Sequence, residues 1–599
     1  MLLWTLLPLV LYPTCDVIKA EYRKTCCPAF APELREKAGT GRLCTGSILS
    51  MPCPDVPPAH CDCTDNDGSA QWTDGFCAEE EEAALLSETY DVIIVGSGPG
   101  GFGAALAAHD TGLKALVLER GRKPSDIEAN ELKDTGYMTI GGGRSIELNG
   151  EVDEPVGWIN VDDSIVYNRS HRETLSNAVG GGYTMNGLIY NIDATSFAKN
   201  PDLYETAVAL GTRLGLPTPG DIDASMNPLT DEMFDAYGSG GVLRQGVQSR
   251  FITSADSKQT DRRAAFEDFW PTDVSVLANT TVDTVVFEGL KAVGVRLADG
   301  REVRGRHIVL AAGYSATAAM LQRSGIGPAD LLEEHGIVVR ADLSVGEGLR
   351  NEVCFNTLAY IDNFNFASDT ANFRTFLSDD GRTASQPAVF NMSALLPFDF
   401  IENTGTVFVN SFCSLNSALH PRQGIDGSVR IKSADPDDIP RIDFGVPMDD
   451  ATAASIAEAY NLHMIPFLQS LANRAEGAPS SDFTLLKTLF GDFLNEVSPG
   501  IVFGRVNGET RLPMIFNYTS MTAEDVLREM EASGEAIYHG MGGTAHLLDP
   551  ERRGKLDATQ NLYLADSSAL QNFPWSAGSL FLAHGYETVQ GIASSVTEV

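Results

Sequence analysis

The residues with the clearest chemical spacing are Gly96, Gly98 and Gly101, which form a G-x-G-x-x-G motif, and Glu119, 18 positions after the last of them. In such a motif the first glycine makes a tight turn, the second lets the backbone approach a pyrophosphate, and the third lets a helix pack on a strand. An acid at this distance accepts hydrogen bonds from a ribose. The pattern predicts a dinucleotide site and does not by itself choose between FAD and NAD.

His539 is a second candidate for chemistry. It stands in Tyr538-His539-Gly540, and further glycines follow closely. An imidazole titrates near neutral pH and can take a proton from a substrate hydroxyl, and small neighbours leave room for that substrate. Taken alone, a histidine beside glycines is more often structural than functional.

The sequence on either side of the glycine motif predicts the strands and the helix that must position it. Val92–Val95 is a short apolar run typical of a buried strand, an Ala-rich helical run covers 104–108, and a second strand follows at Lys114–Leu118. A strand, a glycine turn, a helix and a second strand ending in an acid predict a Rossmann-type unit.

Further along the chain, the pattern predicts a helix over 203–214 and a pair of hairpins from Val274, with turns at Glu288-Gly289 and Asp299-Gly300. Two helices separated by a glycine break follow near Gly325. From about residue 351 to 530 aromatic residues increase and alternating runs such as 406–412 predict an antiparallel sheet, which suits a domain with an apolar substrate pocket.

Composition bounds the class of protein. The chain has 599 residues, 43% of them hydrophobic and 21% charged, which indicates globular domains. The formal net charge of −38 repels phosphate backbones, so nucleic-acid binding is not expected. No stretch after the N-terminus reaches the length of a membrane-spanning helix, and stable membrane insertion is not expected.

The N-terminal region predicts export. The apolar run Leu2–Leu11 suits a signal peptide over residues 1–20, with a membrane anchor as the alternative. Eight of the ten cysteines precede residue 78, which predicts a disulfide-rich module and acidic linker over 21–88, with a metal cluster as the alternative. Cys354 and Cys413 stand apart and either pair or stay reduced. The sequons at Asn168, Asn279, Asn391 and Asn517 are consistent with a glycoprotein.

Several separated motifs, taken together, resemble the glucose–methanol–choline (GMC) family of flavoprotein oxidoreductases over about residues 89–599. The motifs that carry the resemblance, in chain order, are YDVIIVGSGPGG with LVLERG, GGGYTMNG, GYSATAAMLQRSGIG, SVGEGLRNE, GSVRIKSADPDDIPRID, YHGMGGTAHLLD and NLYLADSSAL.

The resemblance implies an α/β fold. A discontinuous Rossmann-like FAD-binding domain would cover 89–345 and 531–599, and an α+β substrate-binding domain with a six-stranded antiparallel sheet would cover 346–530. It implies FAD as cofactor, a small-molecule alcohol as substrate, and oxygen or an unknown electron acceptor. Oligomeric state stays open.

The resemblance also assigns site residues. His539 takes the place of the family's catalytic base, and Asp566 that of an acid whose backbone meets the flavin. Gly181, Asn186 and Gly187 should lie by the flavin ring. Val282 should lie against the adenine half of the cofactor. Met185 occupies the position at which some members bond FAD covalently through a histidine; methionine forms no such bond, so non-covalent FAD is expected.

The main departure lies at the position of the family's second catalytic histidine or asparagine. Alignment from Ser579-Leu580-Phe581 puts Ser576 there, and counting forward from Asp566 puts Ala577 there. A serine can hold a substrate oxygen but is not a base near neutral pH without help. His546 and His584 lie nearby and are best interpreted as packed or hydrogen-bonded histidines.

Three hypotheses follow. The first is a secreted FAD-dependent oxidoreductase acting on the CH–OH group of an alcohol, with His539 as general base. The second, motivated by Ser576, is a non-redox flavin-containing lyase, cyclase or photoenzyme on the same fold. The third is a catalytically silent secreted binding protein that uses the cysteine-rich module.

Overall fold

The structure is a computed structural model. It describes residues 82–123, 158–166, 169–184, 189–190, 201–214, 243–251, 269–362, 372–378, 382–391, 405–414, 427–445, 449–467, 504–505, 513–514, 520–533, 535–536, 539–570 and 577–597. The chain divides into two compact units, Met1–Glu88 and Thr89–Val599. In the first unit, residues 82–87 are helical. The predicted signal peptide and cysteine-rich module lie outside the described residues.

The second unit is built around a seven-stranded mixed sheet, the nucleotide sheet, with the order β7-β2-β1-β10-β9-β8 and β24 paired to β10. Its strands are β1 (Thr89–Val95), β2 (Ala115–Leu118), β7 (Ser275–Leu277), β8 (Val282–Glu288), β9 (Lys291–Leu297), β10 (Glu302–Leu310) and β24 (Leu562–Leu564). Strands β7, β2, β1, β10 and β24 are parallel neighbours, whereas β8 and β9 are antiparallel. The predicted Rossmann-type unit and the hairpin turns are confirmed.

Two helices cover one face of this sheet, α1 (Pro99–Thr111) and α7 (Ala577–Thr597). The alanines of α1 pack with Val92, Ile94 and Val117 of the strands and with Val589 of α7. The two helices approach closely, because a Cβ built on Gly103 would lie 2.0 Å from the Leu582 carbonyl oxygen and one on Gly585 would lie 1.9 Å from that of Gly100. The N-terminal and C-terminal ends of the second unit therefore form one core.

A second, fully antiparallel sheet of seven strands is the substrate sheet, in the order β22-β14-β17-β16-β15-β6-β5. Its strands are β5 (Ile189–Tyr190), β6 (Leu243–Phe251), β14 (Val353–Asp362), β15 (Asn372–Ser378), β16 (Thr383–Asn391), β17 (Gly405–Ser414) and β22 (Glu535–Ala536). The predicted antiparallel sheet is present, and the alternation at 406–412 is β17. Within the described residues the sheet has seven strands where six were expected: five longer strands, and a two-residue strand at each edge.

A third sheet of six strands, the connecting sheet, has the order β23-β13-β18-β19-β3-β4. Its strands are β3 (Trp158–Val166), β4 (Arg169–Ser176), β13 (Glu347–Arg350), β18 (Gly427–Arg430), β19 (Arg441–Asp443) and β23 (Met541–Gly542). Two small ladders join β11 (Ile326–Gly327) to β12 (Ala341–Asp342) and β20 (Gly504–Arg505) to β21 (Pro513–Met514).

The remaining helices are α2 (Asp202–Arg213), α3 (Tyr314–Arg323), α4 (Ala329–Glu334), α5 (Asp450–Ala459), which continues into a π-helical turn at Tyr460–Met464, and α6 (Ala523–Ser533). Short 3-10 turns lie at Gly181–Thr184, Ala545–Leu547 and Ser567–Ala569. The helix predicted over 203–214 is α2, and the helix, glycine break and short helix predicted near Gly325 are α3 and α4.

Within the described residues, no helix has both the length and the apolar character that crossing a membrane requires. The same residues hold no group of three His, Cys, Asp or Glu side chains arranged for a metal ion.

Candidate active site

The site forms at the carboxyl edge of the nucleotide sheet. The parallel registers Ile94↔Val309 and Leu310↔Leu564 bring the ends of β1, β10 and β24 together. The loops that leave these three strands contain the glycine motif, Gly313 and Asp566. Crevices outside the carboxyl ends of parallel strands are where α/β sheets bind ligands.

The glycine turn fits a pyrophosphate by its close backbone packing. Gly96 has φ +98°, and a Cβ there would lie 2.4 Å from the Ala311 carbonyl oxygen. A Cβ on Gly101 would lie 2.0 Å from the Gly96 carbonyl oxygen, so α1 can pack on the turn only with glycine there. Gly98 is the N-cap of α1, and the nearest atom to a Cβ built on it is the Cα of Gly181 at 3.8 Å. The first turn of α1 carries no acid, so its N–H groups favour an anion.

Glu119 is held in place by three hydrogen bonds. One carboxylate oxygen accepts from the Ser97 N–H at 2.9 Å and the Ser97 hydroxyl at 2.7 Å, and the other accepts from the Gly121 N–H at 2.7 Å. A carboxylate has about four acceptor positions. Glu119 therefore keeps acceptor capacity for a ribose hydroxyl while it ties β1, β2 and the glycine turn together.

The glycine loop at 180–182 docks against this turn. The Gly180 N–H donates to the Ser97 hydroxyl at 3.1 Å. Gly181 has φ +54° and lies against the backbone of Gly98. A Cβ on Gly181 would lie 2.5 Å from the Gly98 Cα, whereas one on Gly182 would meet nothing within 4 Å. Asn186 and Gly187, predicted beside the flavin, lie outside the described residues.

Val282 begins β8 and is buried, with 6% of its surface exposed. Two residues earlier, the Thr280 N–H donates to the Glu119 carbonyl oxygen at 2.8 Å. The structure therefore brings the segment around Val282 next to the predicted ribose-binding acid.

Asp566 is a buried carboxylate that accepts three hydrogen bonds. It accepts from the Gly313 N–H at 3.0 Å, the Thr317 hydroxyl at 2.5 Å and the Ser568 N–H at 2.8 Å. Gly313 is the N-cap of α3, so the acid also lies at the positive end of that helix. Burial raises the pKa of Asp566, and the hydrogen bonds act in the opposite direction. The residue joins the end of β24 to the start of α3.

His539 lies beside this junction. Gly540 packs against the ring of Tyr314, the first residue of α3, and a Cβ there would lie 2.5 Å from ring atoms. Nδ1 of His539 lies 3.1 Å from Oε2 of Glu352, and the imidazole side chain is 30% exposed. Glu352 itself is completely buried, and burial raises the pKa of its carboxyl while the hydrogen bond with His539 acts to lower it.

Glu352 and its neighbour Asn351 were not among the predicted site residues. Both are buried, and within the described structure neither amide atom of Asn351 nor Oε1 of Glu352 has a hydrogen-bond partner. Orphaned buried polar atoms are costly and mark positions that a bound group completes. In the sequence, Glu352 is the last acid of the SVGEGLRNE motif. Nothing in the periodicity or spacing of that motif links this acid to His539.

The other histidines of the C-terminal segment lie apart from the imidazole of His539. His546 is exposed and its Nε2 lies 2.8 Å from the Ser344 hydroxyl. His584 is buried in α7, with Nε2 3.2 Å from the Leu564 carbonyl oxygen. Both are hydrogen-bonded histidines, as expected. Ser576 lies outside the described residues.

Cys354 and Cys413 form a disulfide between β14 and β17, with the two Cα atoms 4.1 Å apart. Both are buried. Of the two alternatives that the sequence left open for these cysteines, the paired one is therefore correct.

The residues present fit FAD. The glycine turn and the N-terminus of α1 would hold the pyrophosphate and Glu119 a ribose, and a ring or substrate would supply partners for the orphaned atoms of Asn351 and Glu352. A Rossmann-type sheet with these features at one edge defines a dinucleotide-binding protein.

Comparison with known proteins agrees. A family model described as GMC oxidoreductase matches residues 237–354, and one described as FAD binding domain matches residues 91–126. The chain is similar to oxygen-dependent choline dehydrogenase of Yersinia pseudotuberculosis, with 29% identity over 171 residues, 27% of each chain. It is also similar to ecdysone oxidase of Spodoptera littoralis, with 26% identity over 320 residues, 44% of this chain and 50% of the relative.

Among solved structures, pyridoxine 4-oxidase from Mesorbium loti has the same fold, with a TM-score of 0.59 at 18% identity over 84% of this chain and 98% of that one. The alignments to the curated relatives span a quarter to a half of their length. The chain is therefore similar to GMC oxidoreductases over parts of its length, and its cofactor is FAD.

Proposed function

We propose that the protein is an FAD-dependent oxidoreductase that oxidises the CH–OH group of a small or medium alcohol. The observation that carries the proposal is the position of His539, whose neighbour Gly540 packs against Tyr314 of α3, the helix that follows β10 at the same sheet edge as the glycine turn. The relatives support the class of substrate, since similar proteins are named choline dehydrogenase and ecdysone oxidase.

His539 is the general base. Alcohol oxidation requires that a base take the hydroxyl proton and that donors hold the developing negative charge on oxygen. When bound, FAD supplies the acceptor for the hydrogen that leaves carbon with its electron pair. His539 would take the hydroxyl proton at Nε2, because Nδ1 faces Glu352. Ser576 would hold the substrate oxygen by donating a hydrogen bond.

The protein would act outside the cell. The buried disulfide between Cys354 and Cys413 supports this, because disulfides persist in oxidising compartments. The predicted signal peptide and sequons point the same way. The electron acceptor would be oxygen or another compound. The substrate would be a small-molecule alcohol.

The experiment is an anaerobic titration. The secreted holoenzyme is mixed with a panel of primary, aryl and sugar alcohols while the flavin absorbance near ~450 nm is followed. We expect one alcohol class to bleach the band, and His539→Ala to slow the bleaching by about 100-fold or more, the contribution of a general base. Admitting air then separates an oxidase from a dehydrogenase.

The control is His546→Ala, since that exposed histidine bonds to Ser344 and should leave bleaching unchanged. Equal bleaching by wild type and His539→Ala would contradict the assigned base. Product formed from an added substrate with the flavin band unchanged would favour the non-redox alternative that Ser576 suggests.

A further inference from the structure

Glu352 differs from the other two buried carboxylates at the site in how it is bonded. Glu119 and Asp566 each accept three hydrogen bonds from backbone and hydroxyl groups of their own surroundings. Within the described structure Glu352 has one partner, Nδ1 of His539, and its other oxygen has none. A carboxyl kept for structure has its oxygens satisfied, because a buried unpaired acceptor is costly. The bonding of Glu352 therefore indicates a role toward the imidazole.

The backbone on both sides fixes this pair. Leu349 and Arg350 pair with Gly542 and Met541, and on the other side of the pair Val353 and Cys354 pair with Ala536 and Glu535. Glu352 and His539 thus lie between two ladders that join the same two chain segments. Neither residue can move far from the other unless one ladder opens.

The disulfide adds a third constraint on the same strand. Cys354, two residues after Glu352, is bonded to Cys413 of β17, within the substrate sheet. The segment that contains Glu352 is therefore hydrogen-bonded to β22 on one edge and linked by a disulfide to β17 on the other.

We propose that Glu352 is the positioning residue for His539: it holds the Nδ1–H, so that Nε2 presents its lone pair to the substrate hydroxyl, and it balances the charge of the imidazole once the proton has been taken. A histidine tautomer is set by the hydrogen bond that its other nitrogen makes. The inference rests on the proposed function, since only there is His539 the base.

Among the described residues, burial and His539 are the influences that act on the ionisation of Glu352. Glu347, five residues earlier on β13, is partly exposed and pairs with Arg430 at 2.6 Å. Because Nδ1 of His539 and Oε2 of Glu352 are in direct contact, a change in the charge of one group alters the proton affinity of the other.

The test compares Glu352→Gln with the matched control Glu347→Gln in the full-length holoenzyme. Glutamine keeps the size and an acceptor oxygen and removes the charge. We expect both variants to bind FAD and to melt within a few degrees of wild type, about the spread expected of isosteric changes. In Glu352→Gln the anaerobic rate of flavin reduction by the reacting alcohol should fall by about 10- to 100-fold, the usual effect of losing the partner that orients a functional histidine. The acidic limb of its pH profile should move to lower pH.

A second readout does not depend on turnover. In protein labelled with ¹⁵N-histidine, the His539 resonances, assigned with His539→Asn, report tautomer and titration midpoint. We expect wild type to carry the proton on Nδ1, and the midpoint to move to lower pH in Glu352→Gln and to stay in place in Glu347→Gln. If no alcohol reduces the wild-type flavin, the proposed function fails and this readout still decides the role of Glu352.

Two results would overturn the proposal. One is an unchanged His539 tautomer and titration together with an unchanged rate profile in Glu352→Gln. The other is loss of FAD or of the folded state in that variant, which would make Glu352 a structural residue.

Discussion

At the residue scale, burial decides what each ionisable side chain of the C-terminal segment can do. His584 is 2% exposed, and burial, with a smaller contribution from Arg553, lowers its pKa to about 4. Nε2 lies near the Leu564 carbonyl oxygen, which a neutral imidazole can satisfy as a donor. His539, by contrast, is partly exposed and faces a carboxylate. Two histidines 45 positions apart in sequence thus have opposite surroundings, one neutral inside the core and one partly exposed beside a carboxyl, as the proposed base requires.

The burial of His584 predicts a pH dependence of stability. The unfolded chain takes up a proton at this residue near pH 6.5, whereas the folded protein takes it up only near pH 4, so stability is lost as pH falls through that window. A shift of this size is worth about 3 kcal/mol. We expect His584→Gln, which keeps a donor for Leu564, to flatten the fall in the free energy of urea unfolding between pH 6.5 and 4. His335→Gln, at a partly buried histidine, should not; identical pH slopes in wild type and His584→Gln would contradict the prediction.

At the element scale, the two glycine segments form one structure. The turn after β1 and the loop at 180–182 meet where Gly98 and Gly181 face each other without side chains, and Ser97 bridges them through Glu119 and Gly180. Each segment alone is a turn. Together they make the close backbone surface against which a pyrophosphate or a ring can lie.

Alanine substitutions at the neighbouring positions Gly181 and Gly182 should have very different effects on stability and FAD binding. Gly181→Ala places a side chain at φ +54° and 2.5 Å from the Gly98 backbone, so we expect it to cost about 2 kcal/mol or more in stability and to weaken FAD binding. Gly182→Ala meets nothing within 4 Å and should change the free energy of unfolding by less than about 0.5 kcal/mol. Urea unfolding and FAD titration of both variants measure this. Equal behaviour of the two would show that the loop does not dock on the turn.

At the scale of the whole molecule, the proposed cofactor site is assembled from distant parts of the chain. The glycine turn lies near residue 96, the docking loop near 180, the β8 segment near 282 and the Asp566 junction near the C-terminus. Helix α7 closes the fold by packing on α1. A ligand that bridges these parts stabilises the folded chain as a unit.

If FAD is bound non-covalently, its removal and re-addition should reversibly lower and restore the stability of the folded chain. Met185 has no group that bonds to the flavin, so mild denaturation followed by filtration should release all of the yellow cofactor. The flavin-free protein should melt at a lower temperature, and FAD at about 100 times its Kd should restore about 2.7 kcal/mol. The filter retentate and a thermal melt test both. Flavin that stays on the denatured chain would show a covalent bond.

The sequence by itself determined the local elements and the chemistry of the nucleotide end. The turn residues at Gly289 and Gly300 and the apolar runs of β1 and β2 depend on neighbours within a few positions, and the spacing of Glu119 depends on one continuous strand–turn–helix–strand unit, so a linear pattern predicts them. Tertiary structure alone decided which distant residues meet. No local pattern pairs Glu352 with His539, Cys354 with Cys413, or Gly181 with Gly98, because each contact joins segments 59 or more residues apart whose approach is set by sheet registers and by glycine-lined packing.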